Sequence, residues 1–317
     1  MADRTIQLTD GEQVNIEHIE ALSQTTLIVN LSLGKWGNSK KVDSTNPNIQ
    51  TDANRDMMKF SKKLIVSPEF EAINQFDAKF RKEVKALSLK TQLGAGQYVV
   101  PVAAFEQVLK LIRDKTEERQ GLVDKFLAVY EGQVSSSEGL LASLHDSTDY
   151  DQVDEVASQF YVRHRSSSFS APNSLKQLRN GIFEAEKIHV QRQMAELVEE
   201  NRVLLRLGIR DVLNKVIDAL TVKPDGKKRG IRDAQYSNLI KAVEGFSMLN
   251  IAGDAEMSAV IEKIKEVTGV IPDVDMLRSS AVFANGVRSQ FDRIKSGLDD
   301  LIVEDTGTKR KITLMED

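Results

Sequence analysis

The segment "HDSTDYDQVDE" gathers His145, Asp146, Asp149, Asp151, Asp154 and Glu155 in one short run. Oxygen ligands this closely spaced are the raw material of a calcium loop. Such a loop needs ligands at alternate positions, a central glycine and a late glutamate. Tyr150 stands in a ligand slot and the glycine is missing. The competing reading is a polar turn in which Asp149 or Asp151 caps a helix. It demands less of the sequence and is preferred.

Two basic clusters suggest phosphate chemistry. Lys223, Lys227, Lys228, Arg229 and Arg232 lie in and beside the turn "KPDGKKRG". Cationic side chains and exposed N–H groups in such a turn suit phosphates; the alternative is a solvated loop tip. Arg163, His164 and Arg165 follow Phe160 and Tyr161 and precede Phe169. Aromatics there would stack bases while the arginines take phosphates. The alternative is a connector whose aromatics face the core. The formal net charge of −4 gives no global attraction to nucleic acid or to an anionic membrane. An isolated subunit is therefore expected to bind nucleic acid weakly at best.

Other searches for chemistry come up short. Gly94 and Gly96 lack the third glycine of a dinucleotide fingerprint, since position 99 is valine. "DGKKRG" lacks the Gly-Lys-Ser/Thr ending of a phosphate-binding loop. His18, His145, His164 and His189 are scattered, and the chain has no cysteine, hence no disulfide and no thiolate. No catalytic residue, metal or cofactor is assigned. The expectation is a protein that is not an enzyme, with an enzyme of unknown chemistry as the remaining alternative.

Long helices must position whatever does act. Hydrophobic residues make up 41% and charged residues 28%, the balance of a globular chain, and there are six prolines in 317 residues. Thr9 and Glu12 suggest a capping box opening a short helix through Val14, Ile16, Ile19 and Leu22. Leu27, Val29, Leu31 and Leu33 alternate with Ile28, Asn30 and Ser32, a strand signal ended by Gly34. Residues 37–56 read as a surface loop. Ser67-Pro68 opens an amphipathic helix through Phe70, Ile73, Phe76, Phe80, Val84 and Leu87. Gln97 to Val102 reads as a second strand, placed at an edge or end by Pro101.

Val102, Phe105, Leu109, Ile112, Thr116, Arg119, Val123, Phe126 and Tyr130 then form a heptad-like seam, imperfect at Thr116 and Arg119. "EGQVSSSEG" is a candidate interruption, and "YVRHRSSSFSAPNS" a serine-rich connector. A second long helix runs from Leu175 to about Val222, with Val190, Met194, Leu197, Asn201 and Leu204 on one seam. Asn201 there would fix register at a cost in stability, so Asn201→Leu is expected to stabilise. Three further helices are expected over about 233–247, 254–267 and 274–300, and a short tail strand near Ile312.

Trp36, the single tryptophan, follows the first strand among Lys35, Lys40 and Lys41. It either covers the end of the sheet core, the preferred reading, or presents an aromatic to a partner inside a lysine rim.

Three segments together resemble a known family. They are "LIVNLSLGKWGNSKKV", "GQYVVPVAAFEQVLKLIRDKTEERQGLVDKFLAVYE", ending on Phe126 and Tyr130, and "DYDQVDEVASQFYVRH". They resemble the motifs of an uncharacterised protein family encoded by bacteriophages and mobile elements, over roughly residues 25–220. Members are often encoded near a MoxR-type AAA+ ATPase and a von Willebrand A-domain protein. The resemblance implies a role beside that machine as adaptor, substrate or structural partner. It supplies no functional residue.

The expectation is a mainly α (α+β) chain: a long antiparallel coiled-coil-like helical hairpin, a small β-sheet and a C-terminal helical bundle. Its segments are 1–101, an α/β segment with the sheet; 102–222, the hairpin; and 223–317, a helical region with the tail strand. The expected role is non-enzymatic assembly or adaptation in the bacterial cytoplasm, as a homo-oligomer or docked on the ATPase and its von Willebrand A-domain neighbour. No apolar run is long enough for a membrane span. The alternative is a nucleic-acid-associated phage protein using the basic loops.

Overall fold

A computed structural model describes residues 5–7, 13–15, 25–43, 45–90, 93–168, 170, 174, 182–221, 230–251 and 253–306. The elements in order are strands β1 (Thr5–Gln7), β2 (Gln13–Asn15), β3 (Thr26–Gly34), β4 (Ser39–Val42) and β5 (Phe60–Lys63), then helix α1 (Pro68–Ala86). Strand β6 (Gln97–Pro101) leads into α2 (Val102–Leu141), followed by α3 (Val153–Ser158) and strand β7 (Tyr161–Ser168). Helices α4 (Ile182–Leu220), α5 (Asp233–Leu249), α6 (Ala255–Gly269), α7 (Val274–Ser279) and α8 (Ala281–Thr306) complete the described chain. The protein is mainly α with small sheets. Among the described residues no helix is long and apolar enough to cross a membrane.

Three sheets form. β1 pairs antiparallel with β2, β4 pairs antiparallel with β5, and β3 lies between β6 and β7. The neighbour expected for the first strand, Gln97 to Val102, is therefore β6, although Val102 already belongs to α2. The second expected neighbour, near Ile312, lies outside the described residues. Four local expectations are corrected. Gln13–Asn15 is strand, not helix, paired through Ile6 and Val14. The loop read over 37–56 contains β4, and the serine-rich connector contains β7. The helix read over 274–300 divides at Ser280, whose hydroxyl accepts from the Phe283 N–H at 3.2 Å and starts α8 afresh.

The chain forms two compact units that cut across the three consecutive segments expected. One comprises Met1–Ile28, Ala86–Phe105 and Ser167–Asp317; the other comprises Val29–Lys85 and Glu106–Ser166.

The first is a helical unit built around α4. Helix α4 packs against α8 and α5, while α6 and α7 also pack on α8. Its buried residues include Met194, Leu197, Val198, Asn201, Leu205, Arg206, Ile209, Leu213 and Val216, which occupy most of its circumference. A helix buried nearly all round sits at the centre of a bundle, whereas a coiled-coil partner buries a narrow stripe. Gly208 lies inside α4 without breaking it.

The second is an aromatic unit. Ser67 caps α1 by accepting from the Phe70 N–H at 3.0 Å, with Pro68 in the first helical position. The buried face of α1 is Phe70, Ile73, Asp77, Phe80 and Val84. Asp77 stands where the sequence suggested Phe76. The buried stripe of α2 follows the expected seam from Ile112 through Arg119, Val123, Phe126 and Tyr130. Its first turns bury Ala104 and Val108 instead, leaving Val102 exposed. The expected interruption at "EGQVSSSEG" does not occur. Ser135 and Ser136 donate to the Glu131 and Gly132 carbonyls at 3.0 and 2.8 Å, so these hydroxyls bond within the helix instead of opening it.

Candidate interaction surface

Four carboxylates of the acidic run, those of Asp146, Asp149, Asp151 and Glu155, are tied to partners in the fold. Asp146 accepts from the Thr148 hydroxyl and N–H at 2.7 and 2.9 Å, and these bonds hold its carboxyl below the usual range. Asp149 pairs with Lys62 at 2.6 Å, and the same ammonium donates to the Leu144 carbonyl. Asp151 accepts from Trp36 Nε1 at 3.1 Å and Gln159 Nε2 at 2.9 Å, and its carbonyl accepts from the Tyr130 hydroxyl at 2.9 Å. Glu155 accepts from the Gln152 N–H at the start of α3, at 3.2 Å. The run is a set of turns and caps that holds the aromatic unit together. Among the described residues no group of three or more His, Asp or Glu side chains is placed to hold a metal ion.

Trp36 is buried, in line with the preferred of its two readings and not with the partner-facing alternative. Its ring meets Tyr130 and Phe70 edge-on at 5.4 and 6.0 Å and lies 6.4 Å from Phe126. The core reading of this residue is the one the geometry gives. Lys35 donates to Asn74 Oδ1 at 2.6 Å. Lys40 and Lys41 are exposed on β4, with Lys40 opposite Lys62 of β5.

Asn201 is fully buried within its own chain. Its Oδ1 accepts from the Lys90 N–H at 3.0 Å, and its Nδ2 donates to the Leu249 carbonyl at 3.0 Å. It latches the turn before β6 and the end of α5 onto α4. This reverses the expected effect of its replacement. Leucine would strip the acceptor from one backbone group and the donor from another. Asn201→Leu is expected to lower stability by about 2–3 kcal/mol, read by urea unfolding. A stabilised variant would show that the latch contributes nothing.

Sequence reasoning missed two buried ion pairs. Arg119 of α2 donates from Nε and Nη2 to Asp77 of α1 at 2.7 and 3.0 Å, and from Nη2 to the Gly34 carbonyl at 2.7 Å. Arg206 of α4 grips Asp254 in the same bidentate way, at 2.7 and 2.9 Å. Asp77 and Arg119 sit on buried helix stripes, where a charge at a seam position was the signal; Asp254 caps α6, and no seam pattern marked it or Arg206. Both pairs are structural, because each carboxylate faces its guanidinium.

Of the basic clusters, Lys227, Lys228 and Arg229 lie outside the described residues. Arg232 is exposed at the start of α5, where its N–H donates to Gln235 Oε1 at 2.9 Å. Arg163 and Arg165 lie on β7. Alternation along a strand puts Tyr161, Arg163, Arg165 and Ser167 on one face and Val162, His164, Ser166 and Ser168 on the other. All are exposed except Val162, which is partly buried. The Arg163 guanidinium stacks 4.3 Å over the Tyr161 ring. That ring lies against Gly34, where a Cβ would come within 2.2 Å of it, so only glycine admits this approach. Phe160, just before the strand, packs against the aromatic core instead. β7 is the outer strand next to β3 among the described residues. The result is an exposed, basic strand anchored at one end by a tyrosine on the sheet.

No family model, curated protein or solved structure matches the chain.

Proposed function

We propose that this chain is a non-enzymatic assembly or adaptor protein of the phage type. It associates with itself or docks on a MoxR-type AAA+ ATPase and a von Willebrand A-domain protein in the bacterial cytoplasm. The observation that carries this reading is where the polar groups go. The buried carboxylates, arginines and asparagine described above are each engaged in bonds that hold a unit together, whereas β7 leaves a polar, basic strand exposed at a sheet edge. Groups engaged in this way favour a scaffold, and an open edge favours association. The resemblance over residues 25–220 points the same way.

The decisive experiment is mass measurement in solution, for the chain alone and with the neighbouring ATPase and von Willebrand A-domain protein. A self-associated species or a mixed complex is expected. A monomer that leaves the mass of both partners unchanged would defeat the proposal. A second reading, nucleic-acid association, draws on the stacked Tyr161–Arg163 pair and Arg165.

A further inference from the structure

We infer that the outer edge of β7 is a docking site for an extended acidic segment of a protein partner, which adds to the sheet as a further strand. The inference rests on the assembly reading above and supplies its surface. An edge strand turns alternate N–H and C=O groups away from its neighbour, and these template another strand. β7 runs eight residues, contains no proline, and keeps seven of its side chains exposed. Edge strands left open in folded proteins are usually short, bent or charged, and β7 carries charge, from Arg163 and Arg165.

That charge selects the occupant. A second copy pairing in parallel over the full length of β7 would set Arg163 beside Arg163 and Arg165 beside Arg165, and an antiparallel copy offset by one residue would set Arg163 opposite Arg165. Like charges at cross-strand positions are destabilising, and the full-length antiparallel register sets the arginines opposite Ser166 and His164 and gains no opposite-charge pair, so the basic segment disfavours self-pairing. A strand carrying Glu or Asp at alternate positions meets the same side chains as opposite-charge pairs. Tyr161 closes one end of the site, fixed over Gly34 and carrying Arg163 on its ring. Ser166 to Ser168 present small, exposed side chains at the other end. A single-stranded nucleic acid would use the arginines and the tyrosine, yet it has no use for the strand's main-chain groups. The acidic peptide uses both.

The test uses the full chain and a fluorescent eight-residue peptide alternating valine with glutamate. Its controls are the valine–lysine counterpart and a single-stranded oligonucleotide. Anisotropy reads affinity, and amide hydrogen exchange reads strand addition. The glutamate peptide is expected to bind and to slow exchange at alternate amides of Val162 to Ser168; the lysine peptide is not. R163E/R165E should weaken binding about tenfold, or about 1.4 kcal/mol, because two attractive cross-strand pairs become repulsive. Both arginines are exposed, and Trp36 emission verifies that the variant's aromatic unit is folded. Equal binding of the lysine peptide, binding without protection of β7, no binding, or preference for the oligonucleotide would each overturn the inference. If the ATPase still joins the chain while β7 stays unprotected, the assembly reading survives and the edge falls. If the peptide docks while no partner joins, the reverse holds.

Discussion

Arg206→Met is expected to lower the unfolding free energy by about 3–5 kcal/mol, measured by urea denaturation followed by far-UV circular dichroism. Arg206 is buried in α4. It donates to both oxygens of Asp254, to Glu256 Oε2 at 3.1 Å and to the Leu301 carbonyl at 3.2 Å, so one guanidinium ties α4 to the start of α6 and to α8. Methionine fills much of the volume but leaves the Asp254 carboxylate buried beside an apolar side chain. That orphaned charge, more than the lost attraction, makes the change expensive. R206M/D254N should therefore be more stable than R206M alone: no charge remains buried, and asparagine can still accept from the Met257 N–H, which Asp254 now caps at 2.9 Å.

The same pair gives a pH dependence. Burial by itself raises the Asp254 pKa. The hydrogen bonds from Arg206 and the Met257 N–H, with the charges of Arg206 and Arg202, outweigh it and leave the pKa below the ordinary 3.8. The folded state thus takes up this proton later than the unfolded state does. The stabilisation is complete above 3.8 and is lost as pH falls through the lower folded value. The stability gap between the wild-type protein and R206M should narrow in that acid window. A gap that stays constant to the acid limit would show that Asp254 is not the linked group.

How much of this was legible depends on the residue. Phe70, Ile73, Phe80 and Val84 announced α1, and Ile112 to Tyr130 announced the later stripe of α2, because apolar spacing reports a helix face directly. Asp77 and Arg119 were legible only as blemishes, since a charge on a seam becomes meaningful once its partner in another helix is known. β7 was not legible. "YVRHRSSS" has neither apolar alternation nor β-branched residues beyond Val162, and it is a strand because β3 offers it an edge. β4 and β5, "SKKV" and "FSKK", pair for the same kind of reason, with little of either strand buried. Asn201 stood in the right place on its seam. Its partners, however, are backbone groups of Lys90 and Leu249, far away in sequence. No seam pattern reveals those, and it is they that reverse the effect expected of replacing Asn201. The candidate surface follows suit: the arginines were visible and the exposed edge that gives them a use was not.

Trp36→Ala is expected to cost about 3–5 kcal/mol, the range for removing a large aromatic from a packed core. Trp36 joins Phe70 of α1 with Phe126 and Tyr130 of α2, and its indole N–H holds Asp151 ahead of α3. Alanine opens a cavity between these rings and leaves Asp151 with Gln159 as its remaining side-chain donor. Trp36→Phe keeps most of the ring and loses the N–H, so its penalty should be nearer the roughly 1.5–3 kcal/mol of one hydrogen bond to a charged group. The neighbouring Tyr130 adds a signature at the alkaline end. Burial, helped by the nearby Asp151 and Tyr150, pushes its phenol up from 10.0 to about 12. The neutral phenol is favoured in the folded state, so its contribution is complete below 10 and is lost as pH rises through about 12. In the wild-type protein the single tryptophan reports this unit alone: its emission should be blue-shifted at neutral pH and move red as the core opens in that alkaline window. If Trp36→Ala instead costs under about 1 kcal/mol, as exposed positions do, the ring is not holding this core together. Trp36 would then return, with Lys35, Lys40 and Lys41, to the face that meets a partner.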